Sequence, residues 1–577
     1  MADYINGNPM EDGSSELPLE DFIELPTTVS FHIMYTEQVR IFIQENPYVR
    51  LGTILSYSFA ILYVSELYFT DVVRRLGESL VDVHPVGYTL LDKSVLEATG
   101  ALRLHRLPDL NLSGRGVLLG FVDTGIDYTL PEFQYAAGSS KIAYIWDQTI
   151  RGNFLPNMRF GSVFTQEDIN IALQSENPHE IVPHQDTVGH GTFLASVAAA
   201  REGNTFSGVA PNSEIIAVKL KRASRYSLST TCTPKENMDY VFDATDVMLG
   251  IQFIIDRAYE LHRPVAICIA LGTNFGGHDG YTLPEAYMSF VSSMTGVVIC
   301  TAAGNESNAR HHTDGTLLNT GDTQIMEVNV RDRVSCFSTY IWSEPWDKIS
   351  VSIKSPAGET VRNIPYTRGT LFSQTLIFEK SLVRVSYFQS GSRVAIVTVI
   401  DPTPGIWQIT LHGDTILNGK YHAWLPITGM ISPEVDFNIS TPQYTIVVPA
   451  TAIGTITCGA YNSASNSLYI ASSWGPTRLP MMSPDFVAPG VNVQGIYPHG
   501  VGTMSGTSVS ASITAALSAI LLQWGVVEGN EPNMNGARVR TLLVTGSERD
   551  RNMEYPNVYW GYGIVNVFNA LDSLRNR

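Results

Sequence analysis

The sequence predicts an α/β fold: a parallel sheet flanked by helices, preceded by a small α+β unit and interrupted by an antiparallel β domain. Continuous apolar runs that end in glycine alternate with helical segments, which is typical of a parallel sheet with helices on both faces. Between residues 323 and 443 the hydrophobic period changes to two, which is typical of antiparallel strands. These two patterns separate the core from its insertion.

The composition indicates a globular protein with a large hydrophobic core. Hydrophobic residues make up 44% and charged residues 16% of 577 positions, and this length predicts two to four domains. The net charge of −18 argues against nucleic acid and anionic membrane as partners. No window is predicted to span a bilayer, and a secretory signal is not expected because the first basic residue is Arg40. Five widely spaced cysteines predict reduced, mostly buried thiols and no metal site.

Two segments precede the core. Residues 1–27 are acidic, contain three prolines and lack periodicity, which predicts a mobile tail. Residues 28–88 are predicted to form a small α+β unit, with a buried strand over Phe59–Val64 and a helix over Leu67–Leu80. An accessible polar linker is expected over residues 89–114.

Three polar side chains stand at the ends of predicted core elements. Asp123 follows the apolar run 116–122, so a parallel strand would deliver its carboxylate to the edge of the sheet. A plain turn residue is the alternative, and an aspartic protease would need a second Asp-Thr-Gly that this chain lacks. His190 opens an alanine-rich helix between two glycines, although a lone histidine is more often structural. Ser508 opens the apolar helix of Gly502–Leu522, where its N–H could bind an oxyanion or its side chain could simply cap the helix.

A substrate cleft is predicted beside these residues. Apolar strands are expected over 264–272 and 296–304, with a helix over 243–261 before the first. Asn305 follows the second strand and could offer its amide N–H to the same oxyanion as Ser508, with a turn role as the alternative. We expect the cleft to be lined by residues of the two strand ends: Ala270, Leu271, Gly272, Ala302, Ala303 and Gly304. The first three would pair with an extended peptide.

The insertion over residues 323–443 is predicted to be an antiparallel sandwich or jelly roll. It divides the core into residues 89–322 and 444–577, where strands resume at Tyr444–Val448, Ile453–Thr457 and Phe486–Gly490. The insertion contains no set of acid, base and nucleophile and no obvious stripe of exposed aromatics. We therefore expect it to stabilise the fold, in preference to a catalytic or carbohydrate-binding role.

Asp123, His190 and Ser508 follow one another in the order of the subtilisin triad, each in the context that the triad needs. The chain resembles the Csp group of clostridial germination proteases within the subtilases. Besides the triad, the motifs that carry the resemblance are Ile145–Ile150, Ala217–Ala223 and Leu271–Gly280, and the inserted β domain also matches. Most subtilases have proline at the position of Ile513, a change that the Csp group tolerates.

The resemblance implies a serine endopeptidase whose prodomain, residues 28–88, is an intramolecular chaperone that the enzyme cuts and then retains non-covalently. We expect the cut within residues 84–92, between Tyr88 and Thr89. The implied substrate is the zymogen of a spore-cortex hydrolase, and the implied location is the spore, with the cytoplasm or release from the cell as alternatives. The alternative function is that of a non-catalytic, germinant-sensing or scaffolding pseudoprotease on the same fold. No cofactor is implied, although structural calcium is common among subtilases.

Overall fold

The computed structural model describes residues 17–55, 59–76, 87–90, 99, 101–106, 111–152, 159–203 and 206–575. Its elements fall into an N-terminal unit, a core built on a largely parallel sheet, and an insertion of two antiparallel sheets.

The N-terminal unit is a three-stranded antiparallel sheet with helices. Its elements are α1 (Leu19–Glu24), β1 (Thr28–Met34), α2 (Glu37–Glu45), β2 (Val49–Leu55), β3 (Phe59–Ser65) and α3 (Glu66–Leu76), with the strands in the order β1-β3-β2. Alternate residues of β3 pack to opposite sides: Ala60, Leu62 and Val64 join the core of this unit, while Phe59, Ile61 and Tyr63 join the main core. This two-sided burial explains the continuous apolar run, and the predicted strand is confirmed. Residues 77–80 of the predicted helix lie outside the described residues.

The prediction of a mobile tail over residues 1–27 is wrong for α1. Phe22 and Ile23 of this helix are buried, and Arg50 lies over the Phe22 ring. Arg151 of the core forms an ion pair with Asp21. Two apolar residues in one helical turn are too few to give a periodic signal, so the contact could not be predicted from the sequence pattern. Residues 1–16 lie outside the described part of the chain.

The first part of the core alternates strands with helices. It contains β4 (Gly87–Leu90), α4 (Ala101–Arg106), β5 (Leu118–Asp123), β6 (Ile142–Asp147), β7 (Ser162–Thr165), α5 (Gln166–Leu173), α6 (Pro178–Ile181), α7 (His190–Ala199), β8 (Glu214–Lys219), α8 (Arg225–Thr230), β9 (Phe242–Asp243), α9 (Ala244–Glu260), β10 (Val265–Ile269), β11 (Leu271–Gly272), α10 (Leu283–Val291) and β12 (Val297–Ala302). The predicted strands before Asp123 and Asn305 and the predicted helix over 243–261 are confirmed.

The insertion follows β12. It contains β13 (His312–Thr316), β14 (Thr323–Val330), β15 (Cys336–Ser343), β16 (Lys348–Lys354), β17 (Thr360–Ile364), β18 (Leu371–Thr375), β19 (Leu382–Ser390), β20 (Ser392–Ile400), β21 (Gly405–Thr415), β22 (Lys420–Trp424) and β23 (Val435–Phe437). These strands form one sheet in the order β13-β22-β15-β20-β19-β18 and another in the order β17-β16-β21-β14-β23. Alternate residues such as Trp407, Ile409 and Leu411 enter a hydrophobic core shared by both sheets. The first strand lies before the predicted boundary at residue 323, and the jelly-roll topology stays a prediction.

The last part of the core completes the large sheet. It contains β24 (Ile456–Asn462), β25 (Ser467–Leu468), β26 (Phe486–Pro489), β27 (Val493–Tyr497), β28 (Gly500–Met504), α11 (Thr507–Leu522), α12 (Gly536–Gly546) and α13 (Val567–Arg575). The sheet has the order β25-β24-β12-β10-β5-β8-β6-β7, and β26 also pairs with β24. Its central strands are parallel, and β7 and β25 pair antiparallel with their neighbours. Two hydrophobic clusters contain residues of this large sheet. Helices α7 and α11 contribute to one of them, and α9 contributes to the other.

Two predicted features of the core are wrong. Tyr444–Val448 is not a strand: Thr445, Val447 and Val448 donate their N–H groups to three separate loops, at Trp474, Ala303 and Thr273. The predicted open linker over residues 89–114 contains α4, whose Ala101 and Leu104 are buried. Both segments are held by contacts distant in sequence, which local composition does not reveal.

Two of the five cysteines contradict the prediction of free thiols. Cys232, after α8, and Cys336, at the start of β15, form a disulfide that joins the core to the insertion. Cys268, Cys300 and Cys458 are free and buried, as predicted. Burial, with smaller effects from Cys300 and Asp123, raises the pKa of the Cys268 thiol well above its ordinary value. This thiol therefore stays protonated and is a poor nucleophile.

The prediction that no segment could span a bilayer is also wrong in its literal form. Thr507–Val527 is long and apolar enough to cross a bilayer, yet 89% of its most hydrophobic stretch is buried inside the protein. Its residues pack on β10, β12 and β24, so this helix owes its composition to its place in the core.

Candidate active site

Asp123 is the last residue of β5, a central strand of the sheet whose side chains are all buried. Its carboxylate accepts the N–H of Thr124 at 2.8 Å, and the Thr124 hydroxyl oxygen accepts the N–H of Gly191 at 3.0 Å. The turn after β5 therefore docks on the first turn of α7. The prediction that Asp123 ends a strand is confirmed. Its carboxylate faces α7 as well as its own turn.

His190 is the first residue of α7, and a buried acid holds this end of the helix. One oxygen of Asp186 accepts the N–H groups of Val188 and Gly189, and the other accepts the N–H and hydroxyl of Thr192 at 2.9 and 2.7 Å. Gly191 is required beside it, because a Cβ atom there would lie 2.2 Å from the carbonyl oxygen of Gly125. The backbone that carries the His190 imidazole is therefore held in a fixed position.

Asp123 and His190 form a buried hydrogen-bonded pair. Nδ1 of His190 lies 2.8 Å from Oδ1 and 3.0 Å from Oδ2 of Asp123. Because a carboxylate only accepts, Nδ1 carries the proton and Nε2 is left as the basic nitrogen in the neutral ring. Exposure of 6% and 2% for the two residues keeps this pair out of bulk water.

Ser508 lies in the first turn of α11, directly after Gly506 and Thr507. Gly506 has a φ of 152°, a conformation that favours glycine, and it sets the direction in which the helix begins. Helix α11 packs against α7, and Ser512 donates its hydroxyl to the carbonyl of Leu194 at 2.7 Å. The Ser508 hydroxyl is buried and makes no hydrogen bond to any residue that the structure describes. The described part of the chain therefore does not hold this hydroxyl in a structural contact.

Asn305 follows β12, and its side chain is oriented by the start of α11. Oδ1 accepts the N–H of Thr507 at 3.1 Å and the Thr507 hydroxyl at 3.2 Å. Since both contacts use the carbonyl oxygen of the amide, they fix which side of the group carries its N–H donors. Thr507 also accepts the N–H of Gly304 at 3.1 Å. The residues predicted as oxyanion donors, Asn305 and Ser508, are thus joined through Thr507.

The predicted cleft strand is paired with an extended segment of the chain itself. Leu271–Gly272 pairs antiparallel with Thr89–Leu90, and Phe242–Asp243 pairs antiparallel with Gly87–Tyr88. Strand β4 therefore lies between two edges of the core, as a bound peptide would. The predicted bond between Tyr88 and Thr89 falls in the middle of this strand and stays a prediction. Residues 81–86 and 91–98 lie outside the described residues.

Val447 lies between the two predicted edges of the cleft. A Cβ atom added to Gly272 would meet its Cγ2 atom at 2.5 Å, and one added to Gly304 would meet its Cγ1 atom at 2.6 Å. The valine side chain is fully buried and fills the space between these glycines. The other predicted cleft residues, Ala270, Leu271, Ala302 and Ala303, are also buried.

Sequence reasoning missed four residues that support the site: Asp186, Thr507, Ser473 and Val447. Asp186 stands four positions before α7, outside the ordinary N-cap position, and reaches the Thr192 N–H only because of the turn over residues 186–189. Thr507 precedes the serine directly but was not assigned a role. Ser473 and Val447 approach from loops far along the chain and gave no local signal.

Comparisons with known proteins agree on one family. The sequence pattern of the subtilase family matches residues 114–377 and 436–563. The structure of the Clostridium perfringens CspB protease matches with a TM-score of 0.72 and 30% identity, over 83% of this chain and 98% of that one.

Two curated relatives match over a smaller share of their own length. Serine protease AprX of Bacillus subtilis (strain 168) is 31% identical over 179 residues, which cover 27% of this chain and 38% of AprX. Minor extracellular protease Vpr of the same strain is 24% identical over 494 residues, which cover 81% of this chain and 53% of Vpr. The chain thus covers less than two thirds of either relative.

Proposed function

This chain belongs to the subtilase family of serine proteases, and we propose that it is an endopeptidase that uses Ser508 as nucleophile. The observation that carries the proposal is the buried pair of Asp123 and His190 at the start of α7, a helix that packs against α11, whose first turn contains Ser508. His190 would take the proton of the Ser508 hydroxyl through Nε2 as the oxygen attacks a peptide carbonyl. Asp123 would hold the ring in this tautomer and stabilise the imidazolium.

The tetrahedral intermediate would be stabilised by Asn305 and by the backbone N–H of Ser508. Asn305 is suited to this role because Thr507 occupies its carbonyl oxygen, so the amide donors face away from that contact. The Ser508 N–H belongs to the first turn of α11, where backbone donors have no partner within the helix. A proton from imidazolium would then release the leaving amine, and water would hydrolyse the acyl-enzyme.

A fluorophosphonate probe tests the catalytic proposal. We expect the wild-type protein to be labelled at Ser508 and the Ser508→Ala variant to remain unlabelled, with circular dichroism showing that both are folded. Folded wild-type protein that takes no label would instead support the second candidate, a non-catalytic sensor or scaffold on the same fold. The intact Asp123–His190 pair favours the enzyme.

We also propose that the enzyme cuts its own N-terminal unit and retains it. Strand β4 lies between two core edges, and β3 of the N-terminal unit buries Phe59, Ile61 and Tyr63 in the main core. A cut within residues 84–92, predicted after Tyr88, would leave that interface intact. Wild-type protein should run as two fragments on a denaturing gel and elute as one species from a sizing column, whereas Ser508→Ala should stay uncut. Cutting of Ser508→Ala at this junction would contradict self-processing.

The natural substrate that we propose is the zymogen of a spore-cortex hydrolase, and the proposed location is the spore. The likeness to the CspB protease over 98% of that chain supports this proposal, together with the motifs that resemble the Csp group. Incubating a purified cortex-hydrolase zymogen with the wild-type protein should give one defined cut, and Ser508→Ala should give none. Cleavage at many unrelated sites would favour a general protease.

A further inference from the structure

The residue that follows Asn305 carries a buried carboxylate. This residue, Glu306, is 1% exposed. Its Oε2 atom lies 2.6 Å from Nδ1 of His311 and 3.4 Å from Nδ2 of Asn274, and its Oε1 atom accepts the N–H of Thr428 at 3.1 Å. Both oxygens are therefore occupied by donors.

The donors come from three separate parts of the chain. Asn274 follows β11, the strand that pairs with β4. His311 immediately precedes β13, where the insertion begins, and Thr428 follows β22, where the chain starts to leave it. The Leu425 N–H donates to the carbonyl of His311 at 2.9 Å, so the entering and leaving segments also bind each other. Glu306 thus ties both ends of the insertion to the cleft edge.

The same loop is fixed from the opposite side by the core. Gly304 donates its N–H to Thr507 and accepts the N–H of Ser473 at 2.9 Å, while the Glu306 N–H donates to the Ser473 hydroxyl at 3.0 Å. These bonds restrain the backbone on either side of Asn305. The Glu306 side chain links this loop to the insertion.

We propose that Glu306 is a positioning residue through which the inserted β domain holds Asn305 in place for the oxyanion. The proposal rests on the oxyanion role given to Asn305 above. A carboxylate suits this position because it accepts at both oxygens. Glutamine would turn an N–H₂ group either towards the Thr428 N–H or towards the Asn274 N–H₂ and His311, whose ring would then have to change tautomer. A donor facing a buried donor would push the loop away, and a shift of about 1 Å at a catalytic group costs about 10²-fold in rate.

A double-mutant cycle tests the link between the two residues. Steady-state kinetics on one peptide substrate would be measured for Glu306→Gln, Asn305→Ala and the double variant. In the wild-type background, Glu306→Gln should lower kcat about 10-fold or more and leave KM within about 2-fold. In the Asn305→Ala background the same change should alter kcat by less than about 2-fold, because there is no amide left to misplace.

Matched variants separate positioning from general destabilisation. Asp347→Asn is the control, since Asp347 is a buried carboxylate of the insertion whose oxygens accept the N–H groups of Leu417, Asn418 and Gly419; its kcat should match the wild type. If Glu306→Gln does not fold, His311→Leu removes the donor from the insertion side and should show the same non-additive loss with Asn305→Ala. Equal losses of kcat in both backgrounds, or no loss from Glu306→Gln, would overturn the proposal. Unchanged turnover in Asn305→Ala alone would instead refute the oxyanion role itself.

Discussion

Trp424 of the insertion stacks on His278 of the core, with ring centroids 4.0 Å apart and ring planes inclined by 4°. His312 and His422, both from the insertion, lie against the same tryptophan, and their ring nitrogens Nε2 and Nδ1 are 3.1 Å apart. Neutral rings pack here without the cost of burying charge. The joint between core and insertion therefore depends on these histidines staying unprotonated.

We expect acid to weaken this joint. Burial lowers the pKa of His278 to about 4, and burial together with His278 lowers the pKa of His312 to about 3. The unfolded chain binds protons below about pH 6.5, so stability is complete above that pH and falls as the pH decreases, by up to about 1.4 kcal/mol per pH unit for each histidine. Thermal melting between pH 7.5 and 5 should show a smaller acid loss for His312→Asn than for wild type. His262 is exposed, so His262→Gln is the control variant. Equal loss of melting temperature in acid for wild type and His312→Asn would contradict this prediction.

Asp123→Asn is expected to lower kcat by about 10⁴-fold and to leave the fold intact. The amide matches the carboxylate in size, but it can present N–H₂ to His190 and so favour the tautomer with the proton on Nε2. Peptide hydrolysis and melting temperature would be measured side by side. A variant with nearly wild-type turnover would show that Asp123 only supports the turn after β5.

Asn305→Ala should lower kcat by about 10²–10³-fold while KM changes little, as expected for a donor that acts mainly in the transition state. Thr507 loses an acceptor in this variant, so melting should be recorded as well. Thr507→Val provides a comparison that removes the hydroxyl contact to Asn305 but keeps its amide. If both variants lose the same rate, orientation by Thr507 matters as much as the donor.

Val447→Ala is expected to widen the preference for the residue before the cut. That residue would lie between the strand edge at Gly272 and Asn305, so its side chain would enter the space that Val447 fills. Removing two methyl groups should raise kcat/KM for tyrosine relative to alanine by about 10-fold or more. Peptides that differ only at this residue measure the ratio, and an unchanged ratio would contradict the prediction. The self-cut predicted after Tyr88 is compatible with this preference, because an intramolecular substrate has a high effective concentration at the site.

Loss of the disulfide should destabilise the protein by roughly 2–5 kcal/mol, because Cys232 and Cys336 are 104 residues apart and their bond restricts the unfolded chain. Urea unfolding of the wild type should shift to lower concentration after reduction. The Cys232→Ser, Cys336→Ser double variant should unfold like the reduced wild type and be insensitive to reductant. A wild-type midpoint that reduction leaves unchanged would refute a stabilising role.

Local patterns were sufficient to predict the core strands β5, β10 and β12 and the starts of α7 and α11. Asp123, His190, Asn305 and Ser508 each follow or open a strongly apolar element, so their positions at element ends could be inferred before any contact was known. The supporting contacts could not. Glu306 is buried by the insertion, and Cys232 meets Cys336 through packing between domains, so neither follows from the residues nearby. Helix α1 was missed because its two buried residues occupy a single turn.

Strand β4 would compete with the proposed substrates for the cleft edge. While Gly87–Leu90 is joined to the core, its effective concentration at the cleft edge is on the order of millimolar, and any other peptide must displace it. After a cut between Tyr88 and Thr89, Gly87 and Tyr88 leave only with the whole N-terminal unit, whose dissociation follows mass action. Dilution would then free the cleft, and a high concentration of the released N-terminal unit would occupy it again. The volume into which the protein is dispersed would become a determinant of its activity.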